Sequence, residues 1–348
     1  DGRQRPIGLP ILEDKIVQRT VCEVLTAVYD REFLGFSYGF RKGRNQHQAL
    51  AALRKALLTK KVNWVLDADL RSFFDTLRHD WLVKFIEHRI GDRRIVRLIQ
   101  KWLRAGVLEN GKWAQSEVGT VQGGSISPLL ANIYLHYVLD LWIQHWRTKQ
   151  AQGDVVIVRF ADDFIAGFEQ RSEAERFLTD LRQRLAKFGL ELHPEKTRLI
   201  EFGRFAAPNR ERLGQGKPET FNFLGFTHSC GKNKAGRFEV LRQTMRKKWQ
   251  AKLKDVYANL RRRMHAPVPE QGRYLRAVMN GHIQYYGVPG NRASISAFRF
   301  RLGWLWWKAL RRRSQKTTVT TDRLSRLVEK WLPYPYLSHP YFPEPHGV

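Results

Sequence analysis

Apolar residues recur along the chain with two different spacings, and each spacing predicts one type of element. Spacings of three and four residues predict helices, over residues 12–25, 46–59, 81–104, 172–188, 241–264, 274–286 and 295–313. Short runs of β-branched or aromatic residues predict strands, at residues 63–74, 155–168, 190–202 and 221–226. This order of elements predicts an α+β fold with a split βαβ core, in which helices back an antiparallel sheet.

The stretch 155–168 predicts a hairpin with two adjacent acids at its tip. Apolar runs at 155–158 and 164–168 flank Asp162 and Asp163. The tip has neither the Gly nor the Asn that tight hairpins favour. Two ionised carboxylates beside apolar strands repel each other unless a cation lies between them, and oxygen ligands suit Mg²⁺. The alternative for this pair is a solvated acidic turn.

The strand predicted within 63–74 carries two more acids. Its alternation places Asp67 and Asp69 on one face, with Leu66 and Ala68 on the other. Carboxylates on a buried strand are uncommon without partners, so either Asp67 or Asp69 is a candidate to join the acidic pair of the hairpin. The alternative for each is a structural aspartate bonded to a basic neighbour.

The charge of the chain points to a polyanionic partner. Lys and Arg total 61 against 33 Asp and Glu, for a formal charge of +28, which favours nucleic acid. An acidic membrane surface is the weaker alternative, because the charge is spread along the whole chain. No apolar stretch is long enough to span a membrane. Cys22 and Cys230 form no CxxC pair, which fits a reducing cytoplasm.

Two basic segments are candidates for phosphate contacts. A Gly-punctuated loop at 36–44 contains Arg41 and Arg44, for which a solvated loop is the alternative. The helix predicted at 241–264 is rich in Lys and Arg against the single acid Asp255, a balance that fits a phosphate backbone. We take as nucleic-acid contacts Arg41, Arg44, Arg246, Lys247, Lys248 and Lys252. The aromatic residues of the last predicted helix, 295–313, are expected to form a bundle core rather than base-stacking platforms.

A glycine-rich turn precedes another predicted helix. Gly123 and Gly124 allow a ligand to approach the backbone closely. Ser127 is the expected N-cap, and Pro128 is expected at the first helical position.

Taken together, several stretches resemble reverse transcriptases of the group II intron type. The resemblance rests on motifs in the family's order: DADLRSFFD, GTVQGGSISPLLANIYL, RFADDF, HPEKT and FNFLGF. Further stretches resemble the maturase, or X, region: NGHIQYYGV, RRRSQ and LPYPYLSHPY. The resemblance implies a right-hand polymerase, with fingers and palm over residues 1–240 and an all-α thumb and X domain over 241–348.

The resemblance also implies a catalytic centre. Asp69, Asp162 and Asp163 become the ligands of two Mg²⁺ ions, with Mn²⁺ as a substitute, and Leu70 lends its backbone carbonyl. Asp67 then has a structural role. Lys196 resembles the lysine that donates a proton to pyrophosphate, with a surface lysine as the alternative.

The implied nucleotide contacts lie in three motifs. Arg5 resembles the fingers arginine that binds the triphosphate, and Gln122 with Gly123 borders the nucleotide pocket. Phe74 matches the aromatic residue that collides with a ribose 2′-OH. The family places a lysine shortly before the arginine, which here falls upstream of Asp1. We therefore expect a missing N-terminal segment that contacts the template or a partner.

Three functions follow as hypotheses. The first is an RNA-directed DNA polymerase that acts on an RNA template and a DNA primer and also binds group II intron RNA. The second is an RNA-binding maturase or scaffold without polymerase activity, and the third is an RNA-directed RNA polymerase. The complete acidic set argues against the second hypothesis, and Phe74 argues against the third. A group II-like enzyme recruited to a defence system is a further alternative that the sequence leaves open.

Overall fold

A computed structural model of the chain describes residues 10–105, 119, 124–313 and 319–339, with the backbone of 107–109 and 112–114. Arg5, Gln122 and Gly123, predicted to bind the nucleotide, lie outside these residues. The chain divides into two compact units, one ending at Lys217 and the other beginning at Pro218. The predicted domain boundary between residues 240 and 241 lies further along the chain.

The first unit combines helices with a sheet. Its helices are α1 (Leu12–Tyr29), α2 (Gln46–Thr59), α3 (Phe73–Thr76), α4 (His79–Glu87), α5 (Arg93–Arg104), α6 (Ser127–Leu135), α7 (Leu141–Lys149), α8 (Arg171–Ala186) and α9 (Ala206–Arg212). A π-helical turn, His136–Asp140, joins α6 to α7. Its strands are β1 (Trp64–Asp69), β2 (Val107–Glu109), β3 (Lys112–Ala114), β4 (Val155–Phe160), β5 (Asp163–Phe168) and β6 (Arg198–Glu201).

Four of these strands form one sheet in the order β4-β5-β1-β6, and each neighbouring pair is antiparallel. Alternation along the strands gives the sheet two distinct faces. One face carries Leu66, Ala68 and Phe164, which are fully buried in a core shared with α6 and α8. Helix α2 packs against β4. The opposite face of β1 carries Asp67 and Asp69, so the sheet holds these acids away from that core.

The second unit contains a smaller sheet and a helical bundle. Its strands are β7 (Phe221–Phe223), β8 (Phe226–Lys232) and β9 (Phe238–Thr244), and its helices are α10 (Arg246–Arg262), α11 (Val268–Tyr286), α12 (Arg292–Arg311) and α13 (Thr321–Trp331). The strands pair antiparallel in chain order. A core of fully buried side chains, including Leu275, Met279, Phe298 and Trp306, joins the helices. The predicted α+β class with antiparallel sheets is confirmed in the residues described.

Three local predictions were wrong. Residues 81–104 form two helices, because Asp92 caps α5 by accepting a hydrogen bond from the backbone N–H of Arg94 at 2.8 Å. Residues 241–244 belong to β9, so the basic helix begins only at Arg246. Ser127 is the first residue of α6 rather than its N-cap, since Ile126 holds the N-cap position.

The structure also bears on membrane-spanning helices and on the two cysteines. Among the described residues, none of the helices has the length and hydropathy that crossing a bilayer requires. Neither Cys22 nor Cys230 is in a disulfide bond.

Candidate active site

Two neighbouring strands bring the predicted acids together at one end of the sheet. Asp69, the last residue of β1, stands opposite Asp163, the first residue of β5. Asp162 precedes Asp163 in the turn, and its carbonyl accepts a hydrogen bond from the backbone N–H of Leu70 at 3.4 Å. Asp67 lies two residues before Asp69, on the same face. The fold therefore gathers four acids that lie almost a hundred residues apart in the chain.

The electrostatics of this cluster disfavour four full negative charges. Burial, followed by the charges of Asp67, Asp69 and Asp162, raises the pKa of Asp163 well above its ordinary value, and Lys196 partly offsets this effect. A carboxylate among like charges is stabilised by a cation. The cluster thus has the charge and the oxygen donors of a site for a divalent ion.

Two cations of the chain already pair with the acids of β1. The Nζ of Lys196 lies 2.5 Å from Oδ2 of Asp69, and the guanidinium of Arg198 lies 3.5 Å from Oδ2 of Asp67. Asp67 therefore has the basic neighbour expected of a structural aspartate. Lys196 is held beside the predicted metal ligand Asp69, which brings it into the same cluster.

The donor set fits a divalent ion, although its side chains are not arranged around one. Within the described ranges, no group of three or more His, Cys, Asp or Glu side chains has the geometry of a formed metal site. The backbone at Leu70 is compatible with its predicted role. Its bridge to Leu192 uses the N–H groups of Arg71 and His193 and the carbonyls of Glu191 and Asp69, so the carbonyl of Leu70 takes no part.

A buried ion pair supports the turn between β4 and β5 from behind. Arg159 and Asp140 are both fully buried, and Nε and Nη2 of Arg159 donate to the two carboxylate oxygens at 2.7 and 2.5 Å. Nη1 of Arg159 also donates to the carbonyl of Ala161 at 2.8 Å. Ala161 has a φ of +56°, in the left-handed region that favours glycine or asparagine. Arg159 therefore holds a strained residue directly beside Asp162.

A second layer of contacts packs against the same turn. The backbone N–H of Arg159 donates to Phe36, and its carbonyl accepts from Tyr38, both at 2.9 Å. Asn132 on α6 donates to the carbonyl of Gly39 at 2.6 Å. A Cβ at Gly39 would overlap the backbone nitrogen of Ala161, so only glycine permits this close approach. These contacts fix the backbone that carries Asp162 and Asp163.

Sequence reasoning missed the Arg159–Asp140 pair, although part of the signal was present. Alternation along β4 places Arg159 on the same face as Ile157, which is fully buried, and a buried arginine requires an acidic partner. The identity of that partner was not accessible, because Asp140 lies in a π-helical turn that no spacing rule predicts. The fold alone brings the two side chains together.

Phe74 lies in the short helix that follows β1. Its ring is half-buried and makes edge contacts with Phe73 and Phe40, at centroid distances of 5.4 and 6.5 Å. Phe40 is half-exposed, and its φ is +58°. Gly119 lies against the carbonyl of Phe74, where a Cβ would come within 2.9 Å. These contacts restrict the ring of Phe74, which stays partly accessible to solvent.

The two loop arginines differ in availability. Arg41 is buried, and its guanidinium donates to the carboxylate of Asp30 at 2.7 Å and to backbone carbonyls of Asp30, Phe33, Leu34 and Ser37. The predicted phosphate contact by Arg41 is corrected here, because its donors are used within the protein. Arg44 is half-buried over the ring of Tyr38 and donates to the carbonyl of Gly35 at 2.5 Å.

The predicted cations of the basic helix are accessible. Arg246, Lys247, Lys248 and Lys252 are all exposed on α10, whose Val256 and Leu260 are buried in the bundle core. Lys252 lies 3.6 Å from Asp255, an exposed pair that contributes little to stability. Arg242, which the pattern had placed on the same helix, is buried in β9.

The chain is similar in sequence to known proteins. Residues 1–228 match the family described as reverse transcriptase (RNA-dependent DNA polymerase). Protein YkfC of Escherichia coli is 34% identical over 196 residues, covering 47% of this chain and 51% of that protein. Group II intron-encoded protein LtrA of Lactococcus lactis is 39% identical over 147 residues, covering 42% of this chain and 24% of that protein. The chain spans about half, or less, of the length of these relatives.

Solved structures give a weaker likeness. Apo telomerase from Candida tropicalis superposes with a TM-score of 0.49 and 13% identity, covering 91% of this chain and 54% of that chain.

The acids at the ends of β1 and β5 and the family match over most of the chain lead to one assignment: the chain belongs to the reverse transcriptase (RNA-dependent DNA polymerase) family. Within that family, the predicted resemblance to group II intron-encoded proteins is confirmed.

Proposed function

We propose that the chain is an RNA-directed DNA polymerase that adds deoxynucleotides to a DNA primer paired with an RNA template. The observation that carries the proposal is the gathering of Asp69, Asp162 and Asp163 at one end of the sheet. In this proposal residues 1–240 form the fingers and palm of a right-hand polymerase, and residues 241–348 form the helical thumb and X domain.

The acids Asp69, Asp162 and Asp163, with the carbonyl of Leu70, would hold two Mg²⁺ ions, for which Mn²⁺ can substitute. Bound there, divalent ions lower the pKa of the primer 3′-OH and neutralise the triphosphate. Burial and then the neighbouring carboxylates raise the pKa of Asp163, and a cation bound beside these acids would offset both effects, which supports this assignment.

The chemistry is a displacement at phosphorus. The primer 3′-OH loses its proton to solvent, and its oxygen forms a bond to the α-phosphorus of the dNTP. The bond between the α-phosphorus and the oxygen that bridges to the β-phosphate breaks, and pyrophosphate leaves. Lys196, held at Asp69, is proposed to give a proton to that leaving group. This assignment requires Lys196 to exchange its contact with Asp69 for one with pyrophosphate.

Substrate choice is assigned to residues around this centre. Phe74 is proposed to exclude the ribose 2′-OH by overlap. Arg5 is proposed to bind the triphosphate, and Gln122 with Gly123 to border the nucleotide pocket. The exposed cations Arg246, Lys247, Lys248 and Lys252 are proposed to bind phosphates of the template–primer, with Arg44 as a further contact.

Binding of group II intron RNA is proposed as an accompanying function. The names of the relatives support it, since they include a group II intron-encoded protein and a nuclear intron maturase of Arabidopsis thaliana. The exposed cations of α10 provide a surface for a polyanion. We retain the cytoplasm as the proposed compartment, because the sequence has two cysteines and no CxxC pair.

Primer extension tests the proposal. The chain is incubated with a DNA primer on an RNA template, dNTPs and Mg²⁺, and Asp162→Ala serves as the matched variant. Extension by the native chain, its loss in Asp162→Ala and equal RNA binding by both are expected. Extension at the native rate by Asp162→Ala would overturn the assignment, and an inactive native chain that still binds RNA would favour the maturase alternative.

A further inference from the structure

The helical bundle of the second unit contains a cavity that the proposed polymerase does not use. It has a volume of about 570 Å³ and lies between α12, α13 and the segment that follows α13. Gly303 of α12 and Val328 of α13 both line it, and the two helices pack closely there, because a Cβ at Gly303 would come within 2.9 Å of the side chain of Val328. This volume lies within the range of small-ligand sites in proteins.

The cavity is surrounded by aromatic rings that the bundle leaves in solvent. Phe300, Trp304 and Tyr334 line it, and they are 71%, 41% and 65% exposed. The aromatic residues of α12 were expected to form the core, and Phe298 and Trp306 do so. In the described residues from 218 onward, the exposed large apolar side chains are all on α12 or after α13: Phe300, Trp304, Tyr334, Tyr336 and Leu337.

An arginine fixes one wall of the cavity. Nε of Arg299 donates to the carbonyl of Leu332 at 3.1 Å, and Nη2 donates to the carbonyl of Val328 at 3.4 Å. The guanidinium carbon lies 4.2 Å from the ring centroid of Tyr334. Arg299 therefore holds the end of α13 and positions Tyr334, so this wall is built by specific contacts.

The charge around the cavity selects an anionic ligand. No acid is among the described residues that line it. Lys308 and Arg301 lie beside the ring of Trp304, at 5.4 and 6.0 Å from its centroid. Helix α12 contains no Asp or Glu, and the two acids of α13, Asp322 and Glu329, are outnumbered by Arg323, Arg326 and Lys330 on the same helix. Flat apolar walls with a cationic rim match a planar ring joined to phosphate.

We infer that this cavity binds one unstacked nucleobase of a single-stranded RNA, with Trp304 and Phe300 contacting the ring and the cations beside Trp304 facing the adjoining phosphates. The inference rests on the proposed nucleic-acid function and adds a contact outside the polymerase centre. Ser296 and Ser325, which also line the cavity, provide hydroxyl groups for the polar edge of the base.

Fluorescence of a base analogue tests this inference without any polymerase activity. A short single-stranded RNA that contains one 2-aminopurine is titrated with the full chain, in the absence of dNTPs. Stacking is expected to quench the 2-aminopurine. Trp304→Ala and Phe300→Ala should each weaken binding about tenfold, since stacking on an aromatic side chain is worth roughly 1–3 kcal/mol per base, and both should lose the quench. Trp304→Phe should retain most of the affinity and thus show that loss does not come from misfolding.

Two comparisons identify stacking as the cause. Tyr336→Ala removes an exposed aromatic side chain of the same unit that does not line the cavity, and it should bind like the native chain. Removing the base at the 2-aminopurine position should weaken binding by the native chain about tenfold and binding by Trp304→Ala hardly at all. The salt dependence of binding should be the same in all these proteins, because no phosphate contact is lost.

Equal affinity and equal quenching in the native chain and Trp304→Ala would overturn the inference, as would equal binding of the intact and abasic RNA. An apolar dye that binds in the cavity and that RNA does not displace would also overturn it. Primer extension is measured separately on the same proteins. A quench that depends on Trp304 in a chain that fails to extend primers would reject the proposed polymerase and leave the inference standing.

Discussion

Asp69 and Asp163 stand directly opposite each other, in the last residue pair of β1 with β5. The pairing register fixes this relationship, because a slip of one residue would turn either acid to the core face of the sheet. Asp162 lies beside them in the turn, directly after Ala161, which takes a left-handed conformation. Arg159 stabilises this conformation by donating a hydrogen bond to the carbonyl of Ala161. The geometry of the acidic cluster therefore depends on both a strand register and a buried cation.

Loss of one partner of the buried Arg159–Asp140 pair should lower the free energy of unfolding of the first unit. Asp140→Ala leaves Arg159 as an uncompensated buried charge, which typically costs about 3–5 kcal/mol. A lower midpoint in urea unfolding is the expected result.

Replacing both partners separates stability from positioning. Asp140→Leu combined with Arg159→Met should recover much of the unfolding free energy, since well-packed apolar side chains often replace a buried pair without loss. Primer extension should stay slow, because the carbonyl of Ala161 loses its donor, and the change should fall on kcat rather than on KM. Native kcat in the double variant would show that Arg159 has only a structural role.

Phe74 should control the choice of sugar. Phe74→Val removes the ring that is proposed to collide with the 2′-OH, so incorporation of rNTP relative to dNTP should rise at least about tenfold, a change of about 1.4 kcal/mol. Single-nucleotide extension with each substrate measures the ratio. Phe205→Val, at an exposed phenylalanine elsewhere in the same unit, is the control. An unchanged ratio in Phe74→Val would mean that Phe74 does not select the sugar.

The exposed lysines of α10 should set the salt dependence of binding to template–primer. Replacing Lys247, Lys248 and Lys252 with Gln should flatten the slope of log affinity against log salt by roughly two to three units, at about 0.9 per phosphate contact on B-DNA. Replacing the exposed Lys55, Lys187 and Lys234 removes the same charge from scattered positions and should change the slope much less. Equal slopes in the two triple variants would mean that α10 makes no specific phosphate contacts.

Two buried histidines should make the second unit sensitive to acid. Burial lowers the pKa of His228 to about 3 and that of His282 to about 4, from an ordinary value of 6.5. Between these values the unfolded chain binds more protons than the folded chain, so stability is complete above pH 6.5 and falls as the pH is lowered.

Between pH 7 and pH 5 each histidine should remove about 2 kcal/mol of stability. His282 stacks on Phe298 at 3.8 Å, so His282→Phe keeps an aromatic ring while removing the titration. Urea unfolding at the two pH values should therefore show a smaller loss in His282→Phe than in the native chain. An identical loss would mean that His282 is not buried in its neutral form.

Much of the fold was predictable because local patterns and long-range packing agree. The hairpin followed from the apolar runs on either side of Asp162 and Asp163, and helix α2 followed from its apolar spacing. The predicted start of α10 was wrong because Leu241 and Met245 satisfy a helical spacing. The pairing of β9 with β8, which includes Leu241, ends at Thr244 and delays the start of the helix. Tertiary pairing overrides periodicity where both patterns fit.

The acids of the candidate site were predictable, whereas the contacts around them were less so. Asp67 and Asp69 were equivalent by alternation, and the register distinguishes them, because Asp69 stands opposite Asp163 whereas Asp67 stands opposite Ile165. Arg41 carried the pattern of a phosphate contact, yet the carbonyls of its own loop use its donors. Such contacts join residues that no local spacing relates, so they become visible only in the folded chain.

The most direct test of the account compares two acids on the same face of β1. Primer extension on an RNA template is measured for the native chain, Asp69→Asn and Asp67→Asn, with RNA binding measured in parallel. Asp69→Asn should lose extension by about a thousandfold or more, equivalent to roughly 4 kcal/mol in the barrier, while Asp67→Asn stays within about tenfold and all three proteins bind RNA alike. Native extension by Asp69→Asn, or a loss confined to Asp67→Asn, would contradict the assignment of Asp69 to the catalytic centre.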